Sequence, residues 1–309
     1  MPLRWSLRRP MLSIVLVVYR MPVQASRTLL SLAPCYQRGV REQDYEVIVV
    51  ENESDRMLGE TEATRHARNV RYFARHETRR SPVFALNFGA AQARGSHIAV
   101  MIDGARMLTP GVVRLSLDAL RIARHAAVAT PGYHLGNKLQ QLAVQEGYDE
   151  HADTALLDSI GWPTDGYRLH EIAVLSDSCR NGFLRPIAES NFLVMSRDRW
   201  RRLGGMDERY NDYGGGYANL DLYLRLLQVP DTPAYLLYAE GTFHQFHGGV
   251  TTGTGGDALQ RIASAIQQQD RAIHGSDRTL PNAVPILLGA PHPAVRRFMR
   301  HSVDAADAG

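Results

Sequence analysis

Polar and charged side chains follow two apolar runs of this sequence, at the points where the runs end. The pair Glu51-Asn52 follows a β-branched run, and Asp103 follows the run from His97 to Ile102. Carboxylate and amide oxygens accept hydrogen bonds from hydroxyl groups and from the imide N–H of uracil. A solvated turn in which Ser54 or Asp55 caps the next helix would use the same residue types. The two clusters together favour a binding crevice between Glu51 and Asp103.

Strand-like and helix-like segments alternate along the chain and must position these side chains. The apolar periodicity predicts strands at Ser13–Tyr19, Glu46–Val50, His97–Ile102 and Ala126–Thr130, and helices at Met57–Arg68, Val83–Arg94 and Pro110–Arg124. This βαβα order predicts an α/β, Rossmann-like fold, with a mostly parallel sheet covered by helices on both faces. Ligands of such a sheet gather at the carboxyl ends of its strands.

The second half of the chain is less regular. The pattern weakens from Gly136 to Arg185, which indicates an inserted variable segment. A strand at Asn191–Met195 and a helix at Arg197–Leu203 are predicted after it. Because the sequence contains neither an internal repeat nor a low-complexity linker, it predicts a single continuous domain.

The composition excludes several classes of protein. Of 309 residues, 44% are hydrophobic and 22% are charged, as in an ordinary globular protein, which excludes collagen-like and wholly disordered chains. The net charge of +3, from 35 basic and 32 acidic residues, is too small to indicate nucleic acid as a partner. Two cysteines make neither a disulfide framework nor a zinc cluster.

The N-terminus allows two interpretations. A basic stretch precedes the apolar run MLSIVLVVY, as in a secretory signal. That run stops at Arg20, too short to span a bilayer, and Pro22 opens an amphipathic helix through Leu30, which favours a buried first strand. Without a membrane-spanning segment, we expect a cytoplasmic protein with at most peripheral contact at the inner membrane face. The basic tail is then a flexible extension or a weak contact with anionic lipid.

The order of these segments resembles family 2 glycosyltransferases of the GT-A fold. In the first half, the resemblance rests on the strand IVLVVY, the strand end VIVVEN, the pattern N-x-G-x-x-x-A-x-G from Asn87 and the strand that ends in aspartate. In the second half it rests on Asn191-Phe192-Leu193-Val194, Leu203-Gly204-Gly205-Met206-Asp207-Glu208 and Leu220-Asp221-Leu222-Tyr223-Leu224-Arg225. The resemblance covers roughly residues 11 to 250, and several motifs in the same order make chance agreement improbable.

The resemblance implies both a domain division and a substrate class. Residues 1–10 would form the flexible basic tail, 11–256 the GT-A domain, and 257–309 a C-terminal helical extension. Within the GT-A domain, 11–134 would bind the nucleotide and 135–256 the acceptor. The implied activity is transfer of a hexosyl group from a UDP- or GDP-sugar to a hydroxyl of a glycan, a lipid-linked molecule or a small molecule.

The resemblance also assigns roles to residues of the donor site. Glu51 and Asn52 occupy the place of the family's Asp-Asp pair, which holds uracil and ribose. Asp103 matches the first aspartate of the D-x-D motif, which contacts ribose and a divalent cation. The predicted nucleotide-sugar site comprises Tyr19, Glu51, Asn52, Asn87, Asp103, Gly104 and Arg106.

One metal ligand of the family is absent from its usual place. The second aspartate of D-x-D is here Ala105, whereas a carboxylate normally binds the Mg²⁺ or Mn²⁺ that bridges the diphosphate. His244 and His247 resemble the late histidine that binds the metal in some GT-A enzymes, and imidazole favours Mn²⁺. Alternatively, Arg106 meets the phosphates without a metal. Both histidines can also be structural.

The catalytic base is not fixed by the sequence. The family takes it from a GG-E-D-x-D-L segment, but the acidic pair is replaced here by Ala218-Asn219. Asp221 remains, although an ion pair with Arg225 four residues later on the same helix face would explain it equally well. Glu189 and Asp212 are the other candidates for the carboxylate that takes the acceptor's proton. A retaining enzyme needs no strong base, so inversion and retention both stay open.

Three functions fit these observations. The motif order favours a glycosyltransferase that uses a nucleotide sugar. The replacement by Ala105 and Ala218 favours a non-catalytic GT-A-like module that binds a nucleotide or glycan. A nucleotidyltransferase would require a Gly-rich, lysine-bearing phosphate loop after the first strand, and Tyr19-Arg20-Met21-Pro22 is not one.

Overall fold

The computed structural model describes residues 9–250, 253–254, 256–279 and 284–307. Among these residues, twelve strands form two sheets. The strands are β1 (Leu12–Val18), β2 (Tyr45–Asn52), β3 (Val70–Arg75), β4 (His97–Met101), β5 (Arg106–Leu108), β6 (Ala127–Ala129), β7 (Gly132–Leu135), β8 (Ala173–Leu175), β9 (Leu193–Ser196), β10 (Ala234–Leu237), β11 (Thr242–His244) and β12 (Ile286–Leu288). The α-helices are α1 (Pro22–Leu32), α2 (Gly59–Ala63), α3 (Val83–Gln92), α4 (Val112–Ile122), α5 (Gln140–Ala143), α6 (Glu150–Ser159), α7 (Arg197–Leu203), α8 (Ala218–Leu227), α9 (Gly256–His274) and α10 (Arg296–Asp307).

The larger sheet is mostly parallel, as the sequence predicts. Its strand order is β12-β10-β6-β9-β4-β1-β2-β3, and β9 runs antiparallel to both β4 and β6. The antiparallel strand reverses one connection, so that Leu193 at the start of β9 pairs with Val100 near the end of β4. The segment before β9 therefore reaches the same edge of the sheet as the residues after β4.

The smaller sheet places three polar side chains side by side. Its order is β5-β11-β7-β8, with β11 antiparallel to β5 and parallel to β7. His244 on β11 pairs with Arg106 on β5 and with His134 on β7. Because directly paired residues point to the same face of a sheet, the three side chains form one row.

Helices cover both faces of the large sheet because its strands are apolar on both sides. Alternate residues of β1 belong to two cores: Val15 packs in one, and Ile14 packs in the other. Residues of α3 and α8 share the core with Val15, whereas residues of α1 and α4 share the core with Ile14. The predicted first strand is thus a buried inner strand. Within the described residues, the helices are all too short or too polar to cross a bilayer.

The predicted elements agree with the structure where the apolar pattern is strong. The helix predicted at Arg197–Leu203 is observed with those bounds, and the strand predicted at Ser13–Tyr19 is β1. The helix predicted at Met57–Arg68 is wrong in length, since only α2 is α-helical there. The C-terminal extension contains α9 and α10 and also β12, which pairs with β10. Residues 1–8 of the predicted flexible tail lie outside the described residues.

Candidate functional site

Three potential metal ligands meet beside the row of the smaller sheet. One ligand atom from each of Asp103, His244 and His247 lies within 4.8 Å of the others. The two histidine Nε2 atoms are 3.1 Å apart. Nitrogen ligands held about 2.1 Å from one ion lie about 3.0–3.4 Å apart, so this spacing fits two ligands of one cation. The donor set of one carboxylate and two imidazoles suits Mn²⁺ better than Mg²⁺.

Arg106 belongs to the same cluster. Its Nε donates to Oδ2 of Asp103 at 3.2 Å. The Arg106 side chain is buried, and its Nη1 has no hydrogen-bond partner among the described residues. A buried guanidinium N–H without an acceptor is costly, and a phosphate oxygen would satisfy it. The two sequence alternatives for neutralising a diphosphate, a metal and an arginine, therefore coincide at one place.

The structure explains why residue 105 is not a carboxylate. Ala105 is fully buried in the core that also contains Met101 and Leu108. Its backbone N–H donates to Oδ1 of Asp103 at 3.0 Å, so it orients that carboxylate through the main chain. A charged side chain at this position would have to be buried in an apolar core. His244 and His247 are the side chains beside Asp103 that could hold a metal in place of the missing aspartate.

Gln140 on α5 fixes the proton position of His244. Its Nε2 donates to the backbone carbonyl of His244 at 2.9 Å, which turns Oε1 toward Nδ1 of the same residue. An amide oxygen can only accept, so Nδ1 of His244 carries the proton and Nε2 keeps its lone pair. The backbone N–H of Gln140 also donates to Nδ1 of His134 at 3.1 Å. One residue thus orients two of the clustered imidazoles.

Burial keeps the histidines of the cluster neutral. It lowers the pKa of His244 well below the ordinary value, and nearby Arg106 lowers it further. Burial also lowers the pKa of His247, although Asp103 opposes this effect. The pKa of His134 falls to about 3, again chiefly by burial. Neutral imidazole is the form that binds metal, so His244 and His247 would not have to lose a charge-carrying proton to bind one at neutral pH.

The loop that carries His247 is held from two helices. Gln24 of α1 donates to the carbonyl of Phe246 at 2.7 Å, and the N–H of Phe246 donates to Oδ2 of Asp153 on α6 at 3.0 Å. Burial raises the pKa of Asp153 to about 6, while hydrogen bonds from Tyr148 and Phe246 oppose this shift. The second histidine of H-x-x-H is thereby positioned by residues distant in sequence.

Glu51 does not face an open crevice. Its carboxylate is fully buried and accepts hydrogen bonds from the N–H groups of Leu58 and Gly59, at 2.7 and 3.0 Å. The hydroxyl of Tyr72 also donates to it at 2.7 Å. These contacts give Glu51 a structural role at the start of α2 and leave it no exposed surface for a nucleotide. The sequence alternative placed the cap of the next helix at Ser54 or Asp55, but it is Glu51 that accepts from the N–H groups at the start of α2.

Other residues of the predicted donor site differ in their freedom to bind. Oδ1 of Asn52 is buried and has no hydrogen-bond partner among the described residues, and Tyr19 is 50% exposed at the end of β1. A Cβ on Gly104 would lie 3.0 Å from Cγ2 of Val18, so glycine lets the chain pass close to β1. Asn87 is occupied, because its amide donates to the carbonyl of Met206 and accepts from its N–H.

Asp221 is buried in an ion-pair network. It is fully buried and contacts Arg225 at 2.7 Å, Arg278 at 3.0 Å and His274 at 3.2 Å. The alternative interpretation, a pair with Arg225 along α8, is therefore confirmed. These contacts tie α8 to the C-terminal part of the chain, and a fully enclosed carboxylate has no path to an acceptor hydroxyl.

Glu189 lies beside the start of α8, where Ala218-Asn219 stand in place of the acidic pair of the resembling family. Its Oε2 is 3.4 Å from Nδ2 of Asn219 at the start of α8. Glu189 is partly exposed and precedes β9, whose first residues lie beside the end of β4. Asp212 is also partly exposed, in the loop before α8. That loop packs on the residue before Asp103, since a Cβ on Gly215 would lie 3.6 Å from Cδ1 of Ile102.

Sequence reasoning missed the supporting residues of this site. Gln140 and Asp153 come from the segment between 136 and 185, whose irregular pattern indicated only a variable insertion. An acidic N-cap signal, Asp149 before α6, marks the start of the helix that carries Asp153. The sequence contains no comparable signal for Gln140, because its partners are 6 and 104 positions away.

Comparisons with known proteins identify the fold. No protein-family model matches the sequence, and no curated protein matches it either. The structure superposes on S. aureus TarS 1-349 with a TM-score of 0.53 at 9% identity, covering 96% of this chain and 72% of that one. It superposes on TarS 1-349 in complex with UDP-GlcNAc with a TM-score of 0.51 at 10% identity, covering 84% and 66%. A longer TarS chain gives a TM-score of 0.52 at 11% identity, but only 39% of that chain is covered.

The fold is that of GT-A glycosyltransferases. In this GT-A fold, the cluster of Asp103, His244 and His247 lies at the carboxyl edge of the parallel strands, where such sheets bind ligands. The predicted fold class is therefore confirmed, whereas assignment to family 2 stays a prediction.

Replacing Gln140 with leucine removes the acceptor that holds the proton on Nδ1 of His244. We expect the affinity for Mn²⁺ to fall about tenfold or more, because partners of metal-binding histidines typically change affinity by about 10–100-fold. The EPR signal of free Mn²⁺ measures this affinity in a titration. Gln141→Leu makes the same change at the adjacent residue of α5 and should bind Mn²⁺ as the wild type does. Equal affinities of the two variants would contradict the role of Gln140.

Replacing Asp153 with asparagine keeps the shape of the side chain and removes its titration. The folded protein holds the proton of Asp153 more tightly than the unfolded chain does, since its pKa is raised from 3.8 to about 6. As the pH rises from about 4 to about 6, the unfolding free energy of the wild type should therefore fall by on the order of 2 kcal/mol relative to that of Asp153→Asn. Urea denaturation of both proteins at a series of pH values measures the difference. A difference independent of pH would show that Asp153 is ionised normally.

Proposed function

We propose that the protein is a glycosyltransferase that uses a UDP- or GDP-sugar donor and a divalent cation, with Mn²⁺ preferred. The acceptor is a hydroxyl group of a glycan, a lipid-linked molecule or a small molecule. The observation that carries this proposal is the convergence of Asp103, His244, His247 and Arg106 at the carboxyl edge of a GT-A sheet. Two neutral imidazoles, a carboxylate and a buried guanidinium together suit a metal-bound diphosphate.

The donor extends from this cluster across the end of β1. The nucleoside lies beside Asn52, whose buried Oδ1 accepts from ribose or base. The exposed ring of Tyr19 stacks on the base. The diphosphate meets Nη1 of Arg106. A divalent cation, when bound, neutralises the charge that develops on the departing diphosphate.

Glu189 is the base in this proposal. It is a partly exposed carboxylate beside Asn219, at the edge of the sheet where the sugar of the donor would lie. Its oxygen takes the proton of the acceptor hydroxyl as that hydroxyl attacks the anomeric carbon. This role requires an inverting reaction, because attack then comes from the face opposite the diphosphate. Asp221 is excluded from the role by its burial and by its ion pairs with Arg225 and Arg278.

Replacing Asp103 with asparagine removes a charged metal ligand and tests the donor site. With Mn²⁺ present, calorimetry should show UDP or GDP binding the variant about tenfold more weakly or worse, as expected for loss of a charged contact. Asp118→Asn, an aspartate paired with Arg114 and Arg121 on α4, is the control and should bind as the wild type does.

The same titration distinguishes a metal from an arginine. If Arg106 alone neutralised the diphosphate, Asp103→Asn would free its guanidinium, and binding would become tighter with or without Mn²⁺. That result would contradict the proposed metal site. Nucleotide binding without release of UDP or GDP from any common nucleotide sugar would indicate the alternative, a non-catalytic binding module.

Replacing Glu189 with glutamine keeps the shape of the side chain and removes the base. We expect kcat for donor hydrolysis, in which water replaces the acceptor, to fall by about 100-fold or more while KM for the donor stays the same. The matched variant is Asp212→Asn, which should keep most of its activity. Loss of activity in Asp212→Asn alone would reassign the base, and full activity in both variants would remove a protein base from the reaction.

A further inference from the structure

A second cavity lies away from the proposed donor site. It has a volume of about 710 Å³ and opens between the 3₁₀ turn at Gly166–Ile172 and the start of α10. Its inner wall is His170, whose ring packs on Tyr133 and Phe243 with centroids 5.0 and 4.9 Å away. Because neighbouring residues of a strand point to opposite faces, this wall lies behind the sheet face that carries His244. The cavity is in the size range of small-molecule sites.

The cavity is rich in guanidinium groups. Four arginines line it: Arg168, Arg296, Arg297 and Arg300. Arg168 is paired with Glu171, and Nη2 of Arg297 donates to the carbonyls of His170 and Ala173. In the described part of the chain, Arg296 and Arg300 have neither an acidic partner nor a hydrogen-bond acceptor. Both side chains are exposed, and neither has an ion-pair partner among the described residues.

The acidic residues of the cavity do not change this balance. Glu171 is held by Arg168 at 3.0 Å. Asp165 accepts from the N–H of Tyr167 and lies 4.0 Å from Arg38. Each carboxylate already has a cationic neighbour of its own.

The helix direction adds to the positive potential. The cavity is lined by residues from His292 to Arg297, which comprise the 3₁₀ turn before α10 and its first turn. The amino terminus of this 12-residue helix carries the positive end of its dipole. Arg296 and Arg300 are four residues apart, so their side chains leave the same face of α10.

A buried acceptor also lines the cavity. Nδ1 of His170 donates to the carbonyl of Tyr167 at 3.1 Å, so the neutral ring keeps a lone pair on Nε2. His170 is fully buried, and its Nε2 has no partner among the described residues. Burial lowers the pKa of His170 to about 3, so the ring does not acquire a second proton at neutral pH. A ligand hydroxyl that donates to this nitrogen can satisfy it.

We propose that the cavity binds a phosphorylated sugar or polyol, with its phosphate on Arg296 and Arg300 and a hydroxyl on Nε2 of His170. Arginine binds phosphate oxygens in pairs, which suits the two unneutralised guanidinium groups. The rings of Tyr167 and His292 are stacked, with their centroids 4.3 Å apart and their planes 20° from parallel. They provide a flat wall for the carbon skeleton of the ligand. The site is separate from the metal cluster and does not depend on the proposed transfer reaction.

Calorimetry with glucose 6-phosphate, inorganic phosphate and glucose tests the site. The wild type should bind glucose 6-phosphate more tightly than inorganic phosphate, and glucose should not bind measurably. The double variant Arg296→Gln/Arg300→Gln should bind glucose 6-phosphate at least about tenfold more weakly, because two charge-assisted contacts are lost. The control Arg201→Gln/Arg202→Gln removes two exposed arginines of α7 and should change the affinity less than about twofold.

Several results would overturn the proposal. If glucose 6-phosphate bound at the metal cluster instead, the variant Arg296→Gln/Arg300→Gln would bind it with wild-type affinity. An equal loss in both double variants would show only nonspecific attraction to net positive charge. Absence of binding to the wild type at millimolar glucose 6-phosphate would also count against the site.

A second variant tests the hydroxyl contact separately. His170→Phe keeps an aromatic ring against Tyr133 and Phe243 and removes the acceptor nitrogen. It should bind inorganic phosphate as the wild type does, which also reports that the cavity is folded, and lose the preference for glucose 6-phosphate. An unchanged preference would contradict the assigned role of His170.

Discussion

The ion pair between Asp103 and the buried guanidinium of Arg106 is the interaction on which the candidate site depends. A charge buried alone would be strongly unfavourable, so the pair fixes the loop after β4 against the edge strand β5 of the smaller sheet. Strand pairing then brings His244 beside Arg106. Burial and the positive guanidinium keep the imidazole of His244 neutral, which is the form that can bind a metal.

In the proposed site, two imidazoles beside Asp103 stand in for the missing carboxylate ligand. A carboxylate at residue 105 would enter the apolar core, whereas His244 and His247 approach Asp103 from a different strand and its following loop. An imidazole can bind a metal only if its unprotonated nitrogen points toward the metal, so its orientation must be fixed. Gln140 meets this requirement for His244, and Asp153 holds the main chain before His247. Both residues come from the irregular segment, which therefore has a structural role at the centre of the site.

Much of the fold could be predicted from the sequence because its strands are buried on both faces. A continuous apolar run such as that of β1 indicates an inner parallel strand whatever its neighbours are. Elements at the edge of the sheet are harder to predict from the sequence. The edge strand β3, for example, is only partly buried and mixes arginine with aromatic residues. The helix predicted from Met57 ends at Ala63, since few of its residues have a core to pack against. Helical periodicity alone does not stabilise a segment without tertiary contacts.

Individual side chains of the site were less predictable than their positions. The predicted strand order correctly indicated that the residues after β2 and β4 reach the same edge of the large sheet. It did not indicate that the Glu51 carboxylate points toward the start of α2 and accepts hydrogen bonds there. Asp221 likewise depends on Arg278 and His274, which are more than 50 residues away in sequence. Such partners leave no local pattern, so orientation had to come from the structure.

A crystal structure with UDP or GDP and Mn²⁺, with data collected at the manganese absorption edge, would locate both the metal and the diphosphate. We expect one strong anomalous peak within about 2.0–2.3 Å of Nε2 of both His244 and His247 and close to Asp103, with phosphate oxygens between the metal and Nη1 of Arg106. A nucleotide bound with its diphosphate away from Arg106, or a manganese peak elsewhere, would contradict the proposed site.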